Sequence, residues 1–168
     1  MIRLVQPSME YDQQIQLVRA ELLRDTDEPA AFAGTGMLNI CERTEDWLNS
    51  LKPKQHQPPA TTYLAVDDTN TVLGIAELRH NIDQEVYSTY GGHIDMTIRP
   101  AKRGNGYGTE FFKLLLVEAA KLGLEEVLVT FLRYNACMTR IAVSCGGKYD
   151  GVVFSNKKPL LRYIIKVR

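Results

Sequence analysis

Residues 103 to 108 read Arg-Gly-Asn-Gly-Tyr-Gly. Glycine at every second position lets a backbone turn sharply and come close to a ligand. An amphipathic run follows, with Phe112, Leu115, Leu116 and Ala119 on one face. A helix starting there offers unpaired N–H groups and the positive end of its dipole to an anion. Arg103 adds a cation to a patch that includes Arg99 and Lys102. This combination suits a pyrophosphate.

Two familiar nucleotide cradles do not fit the spacing. A dinucleotide fingerprint needs Gly-x-Gly-x-x-Gly and an acidic residue near the end of the next strand. Here the pattern is Gly-x-Gly-x-Gly, and Glu125 and Glu126 stand at the start of that strand. A P-loop needs Lys-Ser/Thr after its glycines. Gly146-Gly147-Lys148 has no such residue next and reads as a helix stop.

The elements that must position this turn follow from hydrophobic periodicity. Ile2, Leu4 and Val5 form a first strand, and Tyr11, Ile15, Val18 and Leu22 mark an amphipathic helix. A loop over roughly 25–36 leads to a second helix presenting Ile40, Trp47, Leu48 and Leu51, ended by Pro53, Pro58 and Pro59. Strands are expected over 62–66, 72–80 and 93–98, the first two joined by a hairpin turn at Asp67-Asp68-Thr69-Asn70. The long helix after the glycine turn closes at Gly123, and 127–132 is a buried strand. A helix over 135–145 carries Met138, Ile141, Ala142 and Cys145 on one face, and two last strands lie near 152–154 and 160–167. The order is βααβββαβαββ. The βαβ unit around 93–132 requires a crossover helix and locally parallel strands, with antiparallel hairpins on both sides.

Composition removes several function classes. The 168 residues suit one domain spanning 1–168, and 45% hydrophobic with 24% charged residues is an ordinary globular balance. Lys plus Arg and Asp plus Glu number 20 each, so no global field draws nucleic acid or an anionic membrane. No apolar run reaches the roughly 20 residues of a membrane span, and the N-terminus lacks an export signal's apolar stretch. Cys41, Cys137 and Cys145 have no metal-finger or Cys-x-x-Cys spacing, so a reduced, cytoplasmic setting without a metal is expected.

Arg103-Gly104-Asn105-Gly106-Tyr107-Gly108 resembles the Arg/Gln-x-x-Gly-x-Gly/Ala motif of the GNAT family of N-acetyltransferases, and the element order resembles that family over almost the whole chain. Asn135 matches the family's second cofactor motif. Gly91-Gly92-His93-Ile94, Arg99-Pro100 and Gly106-Tyr107 are similar to an uncharacterised bacterial subgroup. The resemblance implies a GNAT-like acyl-CoA N-acyltransferase fold: an α/β protein whose mixed, mostly antiparallel sheet holds a central parallel βαβ unit flanked by helices. It implies acetyl-CoA as cosubstrate and an amine of a small molecule or peptide as acceptor. N–H groups of Arg103, Gly104, Asn105, Gly106, Tyr107, Gly108 and Thr109 would cradle the pyrophosphate. The preceding strand would splay from the next one and pair its backbone, Met96, Thr97 and Ile98, with pantetheine, which Asn135 would anchor.

Attack by an amine needs a base for its proton and is helped by an acid for the departing thiolate. The family often places a Tyr seven residues after the motif Asn, and here that residue is Ala142. Tyr134, Tyr90 and Cys145 are the substitutes, and a non-catalytic acyl-CoA-binding sensor is the alternative that Ala142 raises. Base candidates are Glu77, on the strand where relatives often carry an acid, then His93, His80 and Asp95. Alternation sets Glu77 on the face of Leu73 and Ile75. The acidic stretch 25–28 is a candidate attractant for a cationic amine, and Tyr87 and Tyr90 in the loop 84–90 are candidate acceptor-site walls. Residues 160–165 are a candidate edge for a homodimer.

Overall fold

Trp47 and Phe112 lie on opposite sides of one sheet, and the two packed layers around them account for most of the buried surface. The computed structural model describes residues 1–25 and 29–168. Its elements are β1 (Arg3–Val5), α1 (Asp12–Asp25), α2 (Thr44–Ser50), β2 (Ala60–Val66), β3 (Val72–Arg79) and β4 (Ile94–Ile98). They continue with α3 (Tyr107–Lys121), β5 (Glu126–Leu132), α4 (Ala136–Ser144), β6 (Lys148–Ser155) and β7 (Lys158–Lys166). This is the order that the periodicity predicts.

The strands form two sheets rather than one. β1-β2-β3-β4 is antiparallel throughout, and so is β5-β7-β6. The parallel contact expected between β4 and β5 is confined to their junction. There the His93 N–H donates to Leu128 O at 2.8 Å. The Leu128 N–H then donates to His93 Nδ1 at 3.0 Å, so His93 holds both backbone groups of Leu128. Gly92, at φ +65°, brings the chains this close: a Cβ there would lie 2.5 Å from Leu128 O.

α3 buries Phe111, Phe112, Leu115 and Ala119 against Leu73, Ala76, Leu78 and Ile94 of the first sheet and Val127, Val129 and Ile165 of the second. α1 and α2 cover the first sheet's other face, with Ile15, Val18, Leu22 and Trp47 on Leu64, Val66, Val72 and Ile75. Each buried aliphatic or aromatic side chain there contributes about 1.5–3 kcal/mol of transfer free energy.

Three expectations need correction. Ile40 does not share the α2 face; it is 63% exposed and lies outside the helix, because 35–41 is folded into turns closed by Leu38 N–H to Thr35 O and Cys41 N–H to Met37 O. Leu73 does not share a face with Ile75 and Glu77, because the register jumps from Ala65↔Gly74 to Val66↔Val72 and leaves Leu73 as the extra residue of a bulge. Residues 160–165 are not an edge: β7 runs between β5 and β6, and β6 is the outer strand. Asn156 and Lys157, both at positive φ, make the two-residue turn that joins β6 to β7.

Gly92→Ala therefore meets a backbone carbonyl as well as an unfavourable φ and should cost roughly 2–4 kcal/mol. Gly123→Ala, at φ +89° with open space beside it, should cost only about 1–2 kcal/mol. Urea unfolding of both variants checks this, and equal losses would mean the junction is not close-packed.

Candidate functional site

The chain leaves β4 through Arg99, makes a 3-10 turn over Pro100–Lys102, and enters α3 through the glycines. Gly104 and Gly106 sit at φ +79° and +81°, conformations that a residue with a Cβ adopts at a cost. A Cβ on either would meet nothing within 4 Å, so the space before them is open. Gly108 serves differently: its Cβ would lie 3.0 Å from Ile141 Cδ1, and its absence lets α3 approach α4. Asn105 Nδ2 donates to Lys102 O and Arg103 O, both at 3.1 Å, which holds the turn in shape. Gly106 is the N-cap of α3 and no side chain among the described residues caps the helix, so its first N–H groups are left to the cleft.

These groups form one wall of a cleft of about 700 Å³. Met96, Thr97 and Ile98 of β4 line its floor, and Asn135, Met138 and Ile141 line the far wall. The Arg99 N–H donates to Leu73 O at 2.9 Å, which sets the pairing phase of β4 on β3. By that phase Thr97 bonds to β3, while the backbone groups of Met96 and Ile98 face away from it, and Ile98 O is taken by Arg103 Nε. Asn135 caps α4 by accepting from the Met138 N–H at 3.1 Å, which leaves its amide nitrogen without an acceptor among the described residues.

Of the sequence-derived donor-site residues, the structure brings together Met96, Thr97, Ile98, Arg103, Gly104, Gly106, Tyr107, Gly108, Thr109 and Asn135 around this cleft. Asn105 braces the turn from behind. Lys102, Arg103 and Arg140 make the cleft cationic, and Asp25 is the single carboxylate on its lining among the described residues. Arg103 donates from Nε to Ile98 O at 3.0 Å and from Nη1 to Asp25 Oδ2 at 2.6 Å. One helical turn earlier, Glu21 takes Arg99 at 2.8 Å and the Ala101 N–H at 3.2 Å. Burial pushes the Glu21 carboxyl up, but Arg99 and Ala101 outweigh it and hold it below the ordinary value.

On the α1–α2 side of the first sheet, Glu77 and Asp95 are register partners and both grip Arg79, at 3.0 and 2.8 Å. Arg79 also donates to Gly92 O at 3.0 Å and lies 4.8 Å above the Tyr87 ring. Burial pushes the Glu77 carboxyl above its ordinary value; Arg79 opposes the rise and Asp95 reinforces it. Burial raises Asp95 as well, against Arg79. Glu77, Arg79, Thr62 and Tyr87 line a second cavity of about 350 Å³.

The other titratable candidates are dispersed. His93 is 7% exposed and its Nδ1 is engaged by Leu128. His80 Nε2 lies 2.8 Å from Thr61 Oγ1. Tyr134 is 68% exposed and lines neither cavity. Tyr90 also stands clear of both, while its carbonyl accepts from Thr130. Cys145 closes α4, and Ala142 is fully buried. Thr26, Asp27 and Glu28 of the acidic stretch lie outside the described residues, and Asp25 is turned onto Arg103 rather than toward an amine.

Sequence reasoning missed Arg79, Arg140 and the Asp25 contact. Arg79 was within reach, because it stands two residues after Glu77 on one strand and so shares its face. Among the described residues no three His, Cys, Asp or Glu side chains are set to hold a metal ion, and no helix is long and apolar enough to cross a membrane.

A family model described as an acetyltransferase (GNAT) domain matches residues 15–148. A chimera of the Vibrio cholerae spermidine N-acetyltransferase SpeG and hSSAT is 16% identical, with 99% of this chain and 95% of that chain covered at a TM-score of 0.68. A GnaT-family protein of Bordetella pertussis is 16% identical over 98% and 94%, at 0.71. The yncA protein of Salmonella typhimurium, solved with its cofactor acetyl-CoA, is 14% identical over 99% and 94%, at 0.67. No curated protein matches the chain.

Burial and the positive Arg79 both lower the His93 pKa, so the fold favours neutral imidazole. The unfolded chain binds a proton there below about pH 6.5. The stability that His93 contributes is therefore complete above that pH and is lost as pH falls toward the depressed folded value. His93→Ala should cost about 1–3 kcal/mol at pH 7 by orphaning the Leu128 N–H, with a smaller loss between pH 7 and 5.5 than wild type suffers. Chemical unfolding across that range measures both, and parallel pH curves would exclude this role.

Proposed function

The chain belongs to the GNAT acetyltransferase family, and from that premise we propose that it transfers an acetyl group from acetyl-CoA to a primary amine of a small molecule or peptide, by direct attack of the amine on the thioester. One observation carries the reading: an uncapped helix start and two open glycines share a cleft with an unpaired strand edge. The first set suits a pyrophosphate and the second suits the amides of pantetheine.

When bound, acetyl-CoA supplies the activated acyl group. The N–H groups of residues 104–109 and the α3 dipole hold its diphosphate, with the Arg103 side chain adding charge while its own N–H donates to Pro100 O. The backbone groups of Met96 and the Ile98 N–H face the pantetheine arm as a neighbouring strand would, Ile98 O being held by Arg103, and the free amide nitrogen of Asn135 donates to the same arm. An N–H at that edge also suits the developing oxyanion.

Glu77 is the base we favour. It is half-buried, its carboxyl is more basic than an exposed one, and its register partner Asp95 directly precedes Met96 at the cleft floor. Arg79 fixes its rotamer. His93 is the weaker base, because its basic nitrogen Nδ1 already accepts the Leu128 N–H and Nε2 carries the ring proton. Tyr134, next to Asn135, is the remaining hydroxyl for the thiolate. Ala142 offers no acid, and this favours the acyl-CoA sensor as second reading. A homodimer is the assembly we propose, with β6 as the available edge.

Thiol release from acetyl-CoA with polyamines, amino acids, aminoglycosides and peptides tests the reading, and tight binding without turnover on any of them would leave the sensor. Gly106→Glu should abolish acetyl-CoA binding by calorimetry while costing only about 1–2 kcal/mol of stability; unchanged affinity would remove the turn from the donor site. Glu77→Gln should lower kcat by about 10²–10⁴ with little change in acetyl-CoA affinity. In wild type the acid limb of kcat/KM should lie above the ordinary carboxylate range, since the Glu77 pKa is raised, and Glu77→Gln should flatten it. A retained limb would place the base elsewhere.

A further inference from the structure

We propose that Asp25 stands in for a donor phosphate at Arg103, and that donor binding displaces it. This rests on the reading of the cleft given above.

Glu21 and Asp25 are four residues apart on α1, so they project from the same face. Each meets an arginine of the turn that leads into α3, yet the two contacts differ. Glu21 with Arg99 is secluded, at 19% and 13% side-chain exposure, and is reinforced by the Ala101 N–H. Asp25 with Arg103 is open, at 36% and 42%, and both residues line the cleft. The first contact fastens α1 to the turn. The second is exchangeable and sits where the ligand must come.

Arg103 is aimed by its Nε bond to Ile98 O, so its Nη1 has a fixed direction, and Asp25 Oδ2 occupies it at 2.6 Å. A phosphate oxygen before Gly104 and Gly106 asks for the same N–H, because guanidinium receives carboxylate and phosphate in the same way. Both anions cannot hold it without facing each other. Lys102 and Arg140 line the same cleft, so the remaining charge favours the phosphate. The carboxylate thus keeps Arg103 in its binding pose while the cleft is free, and it lowers donor affinity by the worth of one exposed ion pair, up to about fivefold.

Calorimetry on the full chain decides this, with acetyl-CoA, inorganic pyrophosphate and an acetyl-pantetheine thioester lacking phosphates as titrants. Asp25→Asn should tighten acetyl-CoA and pyrophosphate by about two- to fivefold, leave the phosphate-free thioester unchanged, and lose most of its gain in an Arg103→Ala background. Asp25→Glu, which keeps the charge, should stay near wild type. Weaker or unchanged binding in Asp25→Asn would overturn the proposal and make Asp25 an orienting or neutral residue. So would an equal gain for the phosphate-free thioester. Should wild type bind pyrophosphate but not acetyl-CoA, the donor reading fails, and the pyrophosphate series still decides the role of Asp25.

Discussion

Where β4 meets β5, His93 takes both backbone groups of Leu128, the carbonyl through its own N–H and the N–H through its imidazole. Past this point β4 and β5 belong to separate sheets, and the strands diverge. The consequence is a polar edge at Met96 and Ile98 inside the fold. Unpaired backbone groups kept from water cost about as much as a lost hydrogen bond, so such an edge persists only beside water or a ligand. A continuous sheet would satisfy itself and leave no room. The cleft exists because pairing stops.

Arginines hold the parts around this gap at fixed angles. Arg79 ties β3 to β4 and to the turn before His93, and Arg162 reaches Ser88 O and Thr89 O of the same turn from the second sheet while gripping Asp150. The π-helical turn Val86–Gly91 is thus clamped from both sheets, and the junction does not rest on two hydrogen bonds alone. Arg99 and Arg103 do the same between α1 and the glycine turn. A planar guanidinium with five donors can bond two carbonyls and two carboxylates at once, which a lysine cannot. With 20 positive and 20 negative side chains the charge cancels globally, and the local excess of Lys102, Arg103 and Arg140 over Asp25 gives the cleft its sign.

The element order was legible because each element carries a clear period, and the glycine turn was legible because its conformation demands residues that few other contexts tolerate. The places that reading failed share one cause. Ile40 has helical spacing to Trp47, yet the turns of 35–41 compete for the same backbone groups. Residues 160–165 have the composition of a strand, but strand order is a tertiary choice that composition does not record. Leu73 alternates with Ile75 until a bulge shifts the count. The contact of Asp25 with Arg103 spans 78 residues, and neither side chain is unusual alone.

The donor and acceptor sides differ in how they constrain sequence. The proposed donor cleft offers largely main-chain atoms: N–H groups at a helix start, a strand edge and an αL turn. These fix a few glycines and leave most side chains free, so the machinery can be shared by chains with little else in common. The cavity beside Glu77 is lined by side chains, and on the proposed reading an amine asks little of them: one basic carboxylate, a shape and a route to the cleft. Such a demand is met by many residue sets and leaves no motif. On the function proposed above, the identity of the acceptor would be written in the packing of Thr62, Glu77, Arg79 and Tyr87 and not in any spacing along the chain.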